Sequence, residues 1–220
     1  RKDPTNRYLW RMNRRRLEAE AIWDSVHATA GTLNLQVGGR PVVPPLAEDE
    51  IAALRERWHW PVSADPAQHT RRGMYILVRR NFPFPMFEVF DAPVTSSSCP
   101  QRDVTTVAPQ ALWTLNSRSV FEQSKNLAGR IAAEAGTESA GWIEQVWMTA
   151  LSRPITQEEA KEAAILLSQF TEQAATRKDQ LAAALGDLPE SLKPLDLPEA
   201  TAMVQFCLAI YNLNEFAFID

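Results

Sequence analysis

The second half of the chain is built from apolar side chains that recur at intervals of three and four residues. This spacing, broken by proline, glycine or asparagine, predicts five helices, at residues 108–116, 119–135, 139–151, 156–186 and 198–214. Thr156 and Glu159 have the spacing of a capping box at the start of the fourth helix. The last helix is apolar on nearly every side, so we expect it to be buried. The half from residue 107 to residue 220 is therefore expected to pack helix on helix.

The first half is less regular. A helix is predicted over residues 13–31, because apolar residues form one stripe and a glycine follows the last of them. Residues 36–72 form a long proline-rich excursion with room for one short helix, near residues 48–57. The short apolar run at residues 73–80 is the best strand candidate, and a short helix is expected after Pro85.

These patterns predict a mainly α fold: an irregular multi-helix domain with long proline-rich loops and at most one or two short strands. With 220 residues, 45% of them hydrophobic, the chain is expected to form a single helical domain with a sizeable core. It begins with arginine rather than methionine, so we expect it to be a fragment of a longer protein. No apolar run approaches the roughly 20 residues of a membrane-spanning helix, so no membrane span is expected.

The charge is unevenly distributed. Seven of the first sixteen residues are basic and one is acidic, whereas the whole chain carries a net charge of −4. Domains that follow a phosphate backbone usually carry net positive charge, so no nucleic-acid partner is expected. A basic opening on an acidic body favours ion pairs within the molecule.

One arginine of the basic opening is not explained by a solvated helix surface. In a helix over residues 13–31, Arg14 and Arg16 would form surface pairs with acidic residues four positions later. Arg15 would fall inside the apolar stripe, where a guanidinium must find carboxylate or carbonyl partners or extend to water. We therefore expect Arg15 to pair with a buried acid such as Asp91 or with a ligand anion.

Polar residues also accumulate between residues 91 and 116, around the start of a helix. Thr106 is expected to be the N-cap and Pro109 a first-turn proline, which explains these two without a function. The other polar side chains remain candidates for a site. The predicted polar cluster consists of Arg15, Asp91, Arg102, Gln110 and Asn116.

No residue pattern indicates a metal or a cofactor. The histidines at positions 27, 59 and 69 are isolated, and the sequence contains no haem attachment site, no phosphate-binding glycine loop and no nucleophile elbow. The Trp58-His59-Trp60 run favours a turn packed against the core over a surface for stacking sugars. We expect no metal and no cofactor in this chain.

Cys99 could be a buried thiol, half of a disulfide with Cys207, a metal ligand or a nucleophile. The buried thiol ranks first, the disulfide second and the nucleophile last, since no histidine lies near Cys99 in the sequence to act as its base. Cys207 lies on an apolar helix and is expected to be inaccessible.

Several short motifs together resemble the C-terminal domain of unknown function numbered 1553, which is abundant in planctomycetes. They are Asn13 to Ile22, Phe90-Asp91-Ala92-Pro93, Cys99-Pro100-Gln101-Arg102, Thr105-Thr106, Gln110-Ala111-Leu112, Leu115-Asn116, Leu151-Ser152-Arg153-Pro154 and Asn212 to Phe216. The chain departs from the family pattern at Gln101 and Trp23, where arginine is usual, and at Ser152, where glycine is usual.

The resemblance implies the C-terminal part of a larger, exported protein, extracytoplasmic in location, often with a cytochrome-c-like module. It implies no reaction. The leading hypothesis is a non-catalytic or accessory domain whose partners are other domains of the same polypeptide. The alternative is an enzyme or binding domain that acts on a polysaccharide or another anionic polymer through the Arg/Asp cluster. A third hypothesis, an electron-transfer partner without its own cofactor, rests on the cytochrome-like neighbour alone.

Overall fold

The computed structural model describes residues 3–53, 60–80, 82–177 and 185–219, and these form a mainly helical fold. Two short strands, β1 (Arg15–Arg16) and β2 (Phe218–Ile219), pair antiparallel. Short 3₁₀ turns lie at Pro66–Gln68 and Gly73–Tyr75. The α-helices are α1 (Ala19–Thr29), α2 (Glu48–Ala53), α3 (Pro85–Val89), α4 (Ala108–Asn116), α5 (Arg118–Ala135), α6 (Ser139–Leu151), α7 (Gln157–Ala175), α8 (Leu197–Tyr211) and α9 (Asn214–Ala217).

The helices of the second half are confirmed. Helices α4 and α6 have the predicted bounds, and α5 begins one residue early. The Thr156 hydroxyl accepts a hydrogen bond from the Glu159 backbone N–H, and the Glu159 carboxylate accepts one from Thr156 N, so the capping box is present. Helix α7 ends at Ala175, earlier than predicted; residues 178–184 of its predicted C-terminal part lie outside the described residues.

The larger core lies between α5, α6, α7 and α8. Helix α8 is surrounded by the others, and Val204, Phe206 and Cys207 on it are buried, as its apolar composition predicts. Trp142 of α6 packs on Phe206 with ring centroids 5.5 Å apart. Each large apolar side chain removed from water stabilises the fold by about 1.5–3 kcal/mol, so this helical layer supplies much of the driving force for folding.

A second core lies between α1, α3 and the proline-rich excursion. Trp23 of α1 meets Phe84 edge to face, and Phe84 meets Phe87 in the same way. Trp60 stacks on Phe84, and its indole N–H donates to the Pro44 carbonyl; Trp58 and His59 lie outside the described residues. Trp113 of α4 packs against both cores and so joins the two halves.

A buried arginine, Arg71, stabilises the conformation of the proline-rich excursion, and no sequence motif predicts this role. Arg71 donates to the carbonyl oxygens of Arg40, Gln36 and Gly38, and its guanidinium lies 3.9 Å from the centre of the Tyr75 ring. Arg71 thus supplies hydrogen-bond donors to backbone carbonyl groups that lie outside any helix or sheet.

The predicted strand at residues 73–80 is wrong. Residues 73–75 form a 3₁₀ turn, and Ile76 makes a single bridge to Val42. Gly73 lies so close to the Glu20 backbone that a Cβ would be 2.9 Å from the Glu20 Cα, so this segment packs directly on α1. A run this short does not distinguish a strand from a turn, and here only Ile76 of its apolar residues is buried, while Met74 and Val78 are exposed.

Candidate functional site

The residues before α1 are extended rather than helical, and this changes which arginine is buried. Arg15 and Arg16 form β1, in which successive side chains point to opposite faces. The Arg16 side chain is 3% exposed, whereas that of Arg15 is 61% exposed. The prediction that Arg15 is buried and pairs with Asp91 is therefore wrong. The pairs of Arg14 with Glu18 and of Arg16 with Glu20 that a helix would allow do not form within the described part of the chain. Glu18 instead lies near Arg15 and Arg102, and Glu20 pairs with Arg102.

Arg16 is the residue that pairs with Asp91. Its Nη2 donates to Asp91 Oδ2 at 2.6 Å and to the Phe90 carbonyl at 3.3 Å, while the guanidinium lies 5.4 Å from the centre of the Phe90 ring. Burial lowers the pKa of Arg16, and the Asp91 carboxylate opposes this shift. Its Nε and Nη1 are buried and have no hydrogen-bond partner among the described residues. The guanidinium is thus held by one carboxylate contact, one carbonyl contact and one ring.

Asp91 is positioned by the end of α3. Its φ of 58° places it in the left-handed region, which aspartate tolerates better than most residues. Its carboxylate accepts hydrogen bonds from the Thr105 backbone N–H at 2.8 Å and from the Thr105 hydroxyl at 2.9 Å. Gln110 Nε2 reaches the Thr105 hydroxyl at 3.2 Å and the Val89 carbonyl at 3.1 Å. The start of α4 is therefore fastened to the end of α3 through Asp91.

Arg102 and Asn116 have different positions from those predicted. Arg102 does not contact Asp91; it forms a bidentate pair with Glu20 of α1, at 2.7 and 3.1 Å, and also reaches Glu18 at 3.3 Å. Burial opposes ionisation of Glu20, but the hydrogen bonds from Arg102 leave its pKa lowered. The Asn116 side chain donates to the Leu112 carbonyl of its own helix, so Asn116 is not part of the cluster. The structure thus unites Asp91 and Gln110, adds Arg16, and places Arg102 beside them.

Arg16, Asp91 and Arg102 border a cleft of about 620 Å³ that we call the arginine cleft. Its walls are β1 with its neighbours and the loop that precedes α4. The lining residues are Arg14, Arg15, Arg16, Leu17, Glu18, Phe90, Asp91, Gln101, Arg102, Asp103, Val104, Thr106 and Phe218. Four of them are arginines and three are acidic, so the cleft is polar and slightly basic in total.

The remaining site predictions have mixed outcomes. Cys99 is exposed, so its ranking as a buried thiol is wrong; Cys207 is buried as predicted, and both are free. Val107, not Thr106, is the N-cap of α4. Among the described residues no group of three histidine, cysteine, aspartate or glutamate side chains could hold a metal ion.

A second ion-pair cluster was not anticipated. Arg153 donates to both carboxylate oxygens of Glu159 and to both of Glu215, and so ties the start of α7 to α9. These pairs raise the pKa of Arg153 and lower that of Glu159 to about 2. Arg153 is 6 positions from Glu159 and 62 from Glu215, and neither separation corresponds to a helical or strand repeat from which the pairing could be predicted.

The family model "PSD1: Protein of unknown function (DUF1553)" matches residues 1–167, which is most of the chain. The chain belongs to this family, as its motifs suggest. No curated protein and no solved structure match the chain. Within the described residues, no helix has the length and apolar character that crossing a bilayer requires.

Proposed function

We propose that this chain is a non-catalytic accessory domain of a larger exported polypeptide, and that it packs against other domains of that polypeptide through its N-terminal loop (residues 3–13). The observation that supports this proposal is an ordered loop that keeps large apolar side chains in water. The exported location enters the proposal on the family resemblance alone.

Side-chain hydrogen bonds order the N-terminal loop. The Asp3 carboxylate accepts from the backbone N–H groups of Arg7 and Tyr8, and the pKa of Asp3 is lowered, chiefly by the bond from Tyr8. Asn6 is buried and donates to the Arg11 carbonyl at 2.6 Å. The loop thus has a defined conformation without support from a helix or a sheet.

The same loop exposes its apolar residues. Tyr8 is 79% exposed, Leu9 77%, Trp10 55% and Met12 60%. Leu9 has a φ of 51°, a conformation that costs a residue with a Cβ about 1–2 kcal/mol. Four large apolar side chains within five residues form a patch of the kind that marks a protein interface. A partner that covers them would recover their burial energy.

An enzymatic role for the polar cluster has less support. A carboxylate that accepts several hydrogen bonds is a weaker base, and the Asp91 carboxylate already accepts from Arg16 and Thr105. Arg102 is likewise committed to Glu20. The pair of Arg16 with Asp91 connects β1 to the end of α3, and the pair of Arg102 with Glu20 connects the loop before α4 to α1. Both pairs therefore have a structural role.

The test is site-specific photo-cross-linking in the complete polypeptide that the gene encodes. A photoreactive phenylalanine analogue is placed at Trp10, and, as a matched control, at Ile165, which is 59% exposed on α7. The proposal expects position 10 to cross-link to residues outside 1–220 and position 165 to give far less product. Cross-links from position 10 that stay within residues 1–220, or equal yields at both positions, would contradict it.

A further inference from the structure

We infer that the arginine cleft binds a carboxylate group of an acidic peptide segment. This inference is independent of the N-terminal loop and concerns a different surface. It rests on the state of each arginine in the cleft, on the acidic residues between them and on the extended backbone that forms one wall.

Arg15 is an arginine of the cleft that remains available to a ligand. Its side chain is 61% exposed, and its contact with Glu18 is long, at 3.4 Å. Glu18 also lies 3.3 Å from Arg102, so its one negative charge is shared between two guanidinium groups. A carboxylate at the mouth of the cleft can therefore pair with Arg15 without breaking a strong existing contact.

Arg16 adds positive potential at the base of the cleft. It lines the cleft, its side chain is 97% buried, and its Nε and Nη1 have no hydrogen-bond partner among the described residues. Its one carboxylate partner, Asp91, also accepts from Thr105. Buried donors without acceptors cost free energy, so a nearby anion is favoured at this position.

The mixture of charges favours an isolated carboxylate over a densely charged polymer. Glu18, which contacts both Arg15 and Arg102, and Asp103 also line the cleft and would repel a chain of closely spaced sulfates or uronates. A single carboxylate can approach Arg15 while its uncharged neighbours lie against the apolar parts of the wall, such as Val104 and Phe218. The cleft therefore fits one acidic side chain at a time.

The backbone of the wall favours a peptide as the carrier of that carboxylate. Residues 14–17 contribute to the lining, and β1 pairs with β2 in a sheet that has only these two strands in the described part of the chain. An extended peptide can hydrogen-bond to such a strand while arginines recognise its acidic side chains. Backbone and charge thus point to the same class of ligand.

The test is isothermal titration at low salt with a blocked pentapeptide that alternates glycine and glutamate. The matched peptide has glutamine in place of glutamate, and a galacturonate oligomer tests the polysaccharide class. Arg15→Gln removes the exposed guanidinium, and Arg177→Gln serves as control because Arg177 is exposed and does not line the cleft. Circular dichroism melts verify that both variants fold.

The inference predicts saturable binding of the glutamate peptide and none of the glutamine peptide. Arg15→Gln should weaken binding about tenfold or more, as expected for loss of one charge-assisted hydrogen bond, and Arg177→Gln should have no effect. Absence of saturable binding, equal effects of the two variants, or tighter binding of the galacturonate oligomer than of the peptide would each overturn it.

Discussion

Arg16 Nη2 lies 2.6 Å from Asp91 Oδ2, although the two residues are 75 positions apart in the sequence. This pair joins the strand at the start of the described fold to the end of α3. Through Thr105, Asp91 also fastens the loop that leads into α4. The polar cluster is therefore an internal connection between β1, the end of α3 and the loop before α4.

The first prediction is that Arg16 and Asp91 act as a unit. Arg16→Met and Asp91→Asn should each destabilise the fold, because each leaves the partner charge buried without its counter-ion. The double variant should lose less than the two single losses combined, with a coupling free energy of about 1–3 kcal/mol. Urea denaturation of the four proteins measures this coupling, and strictly additive losses would mean that the two residues act separately.

Much of the helical half could be predicted from the sequence because helices such as α5 and α6 bury a stripe of apolar residues. Spacing of 3.6 residues is strong evidence when tertiary contacts agree with it, as they do in these two helices. The start of the chain shows the limit of this reasoning. A helix over residues 13–31 would turn successive side chains by 100°, whereas the side chains of β1 alternate between its two faces. The helical prediction therefore buries Arg15 and exposes Arg16, which is the reverse of what the structure shows.

Other features of the site could not be found from the sequence for a physical reason. Arg71 binds three backbone carbonyls, and a carbonyl is present at every residue, so no residue type marks the partner. The pairing of Arg102 with Glu20 depends on how a loop folds over α1, and loop geometry is not periodic. Asp91 and Gln110 can be identified from the sequence because polar residues accumulate around the predicted start of α4.

The second prediction concerns Ser152, which stands where the resemblance led us to expect glycine. It ends α6 in the left-handed conformation, with φ at 56°. Glycine adopts this conformation without the Cβ penalty, so Ser152→Gly should raise the free energy of unfolding by about 1 kcal/mol. Ser152→Val should lower it, because a β-branched residue is strained there. A thermal melt in which the two variants change stability in the same direction would refute this explanation.

The third prediction is a loss of stability at mildly acidic pH. His27 is buried against Trp23, with ring centroids 4.3 Å apart, and burial lowers its pKa to about 4. In the unfolded chain His27 gains a proton near pH 6.5, whereas in the folded chain it stays neutral until about pH 4. Protonation therefore stabilises the unfolded state as the pH falls below about 6.5. The free energy of unfolding should drop by about 2 kcal/mol between about pH 7 and pH 5.

Urea melts at pH 7, 6 and 5 measure this loss. The range lies above the ordinary glutamate pKa of 4.5, so the ion pair of Glu159, whose pKa is lowered to about 2 in the folded protein, contributes little to this loss. His27→Gln removes the titrating ring and should flatten the dependence. An unchanged slope in His27→Gln would show that another group is responsible.

The fourth prediction concerns the thiols. Cys99 is exposed, whereas Cys207 is fully buried in α8 and burial raises its pKa. Because the thiolate is the reactive form, a thiol reagent should label Cys99 within seconds to minutes in the native protein and Cys207 only upon unfolding. In Cys99→Ser, native labelling should be almost absent. Fast labelling of that variant would contradict the buried position of Cys207.

The most direct test of the account compares the two neighbouring arginines of β1. If the polar cluster is a structural connection centred on Arg16, Arg16→Met should cost about 3 kcal/mol or more, because it leaves Asp91 without its counter-ion. Arg15→Met should cost less than about 1 kcal/mol, because its side chain is mostly in water. Urea denaturation of both variants under the same conditions decides this. A large loss for Arg16→Met with a small loss for Arg15→Met is the predicted result, and equal small losses or the reverse order would contradict it.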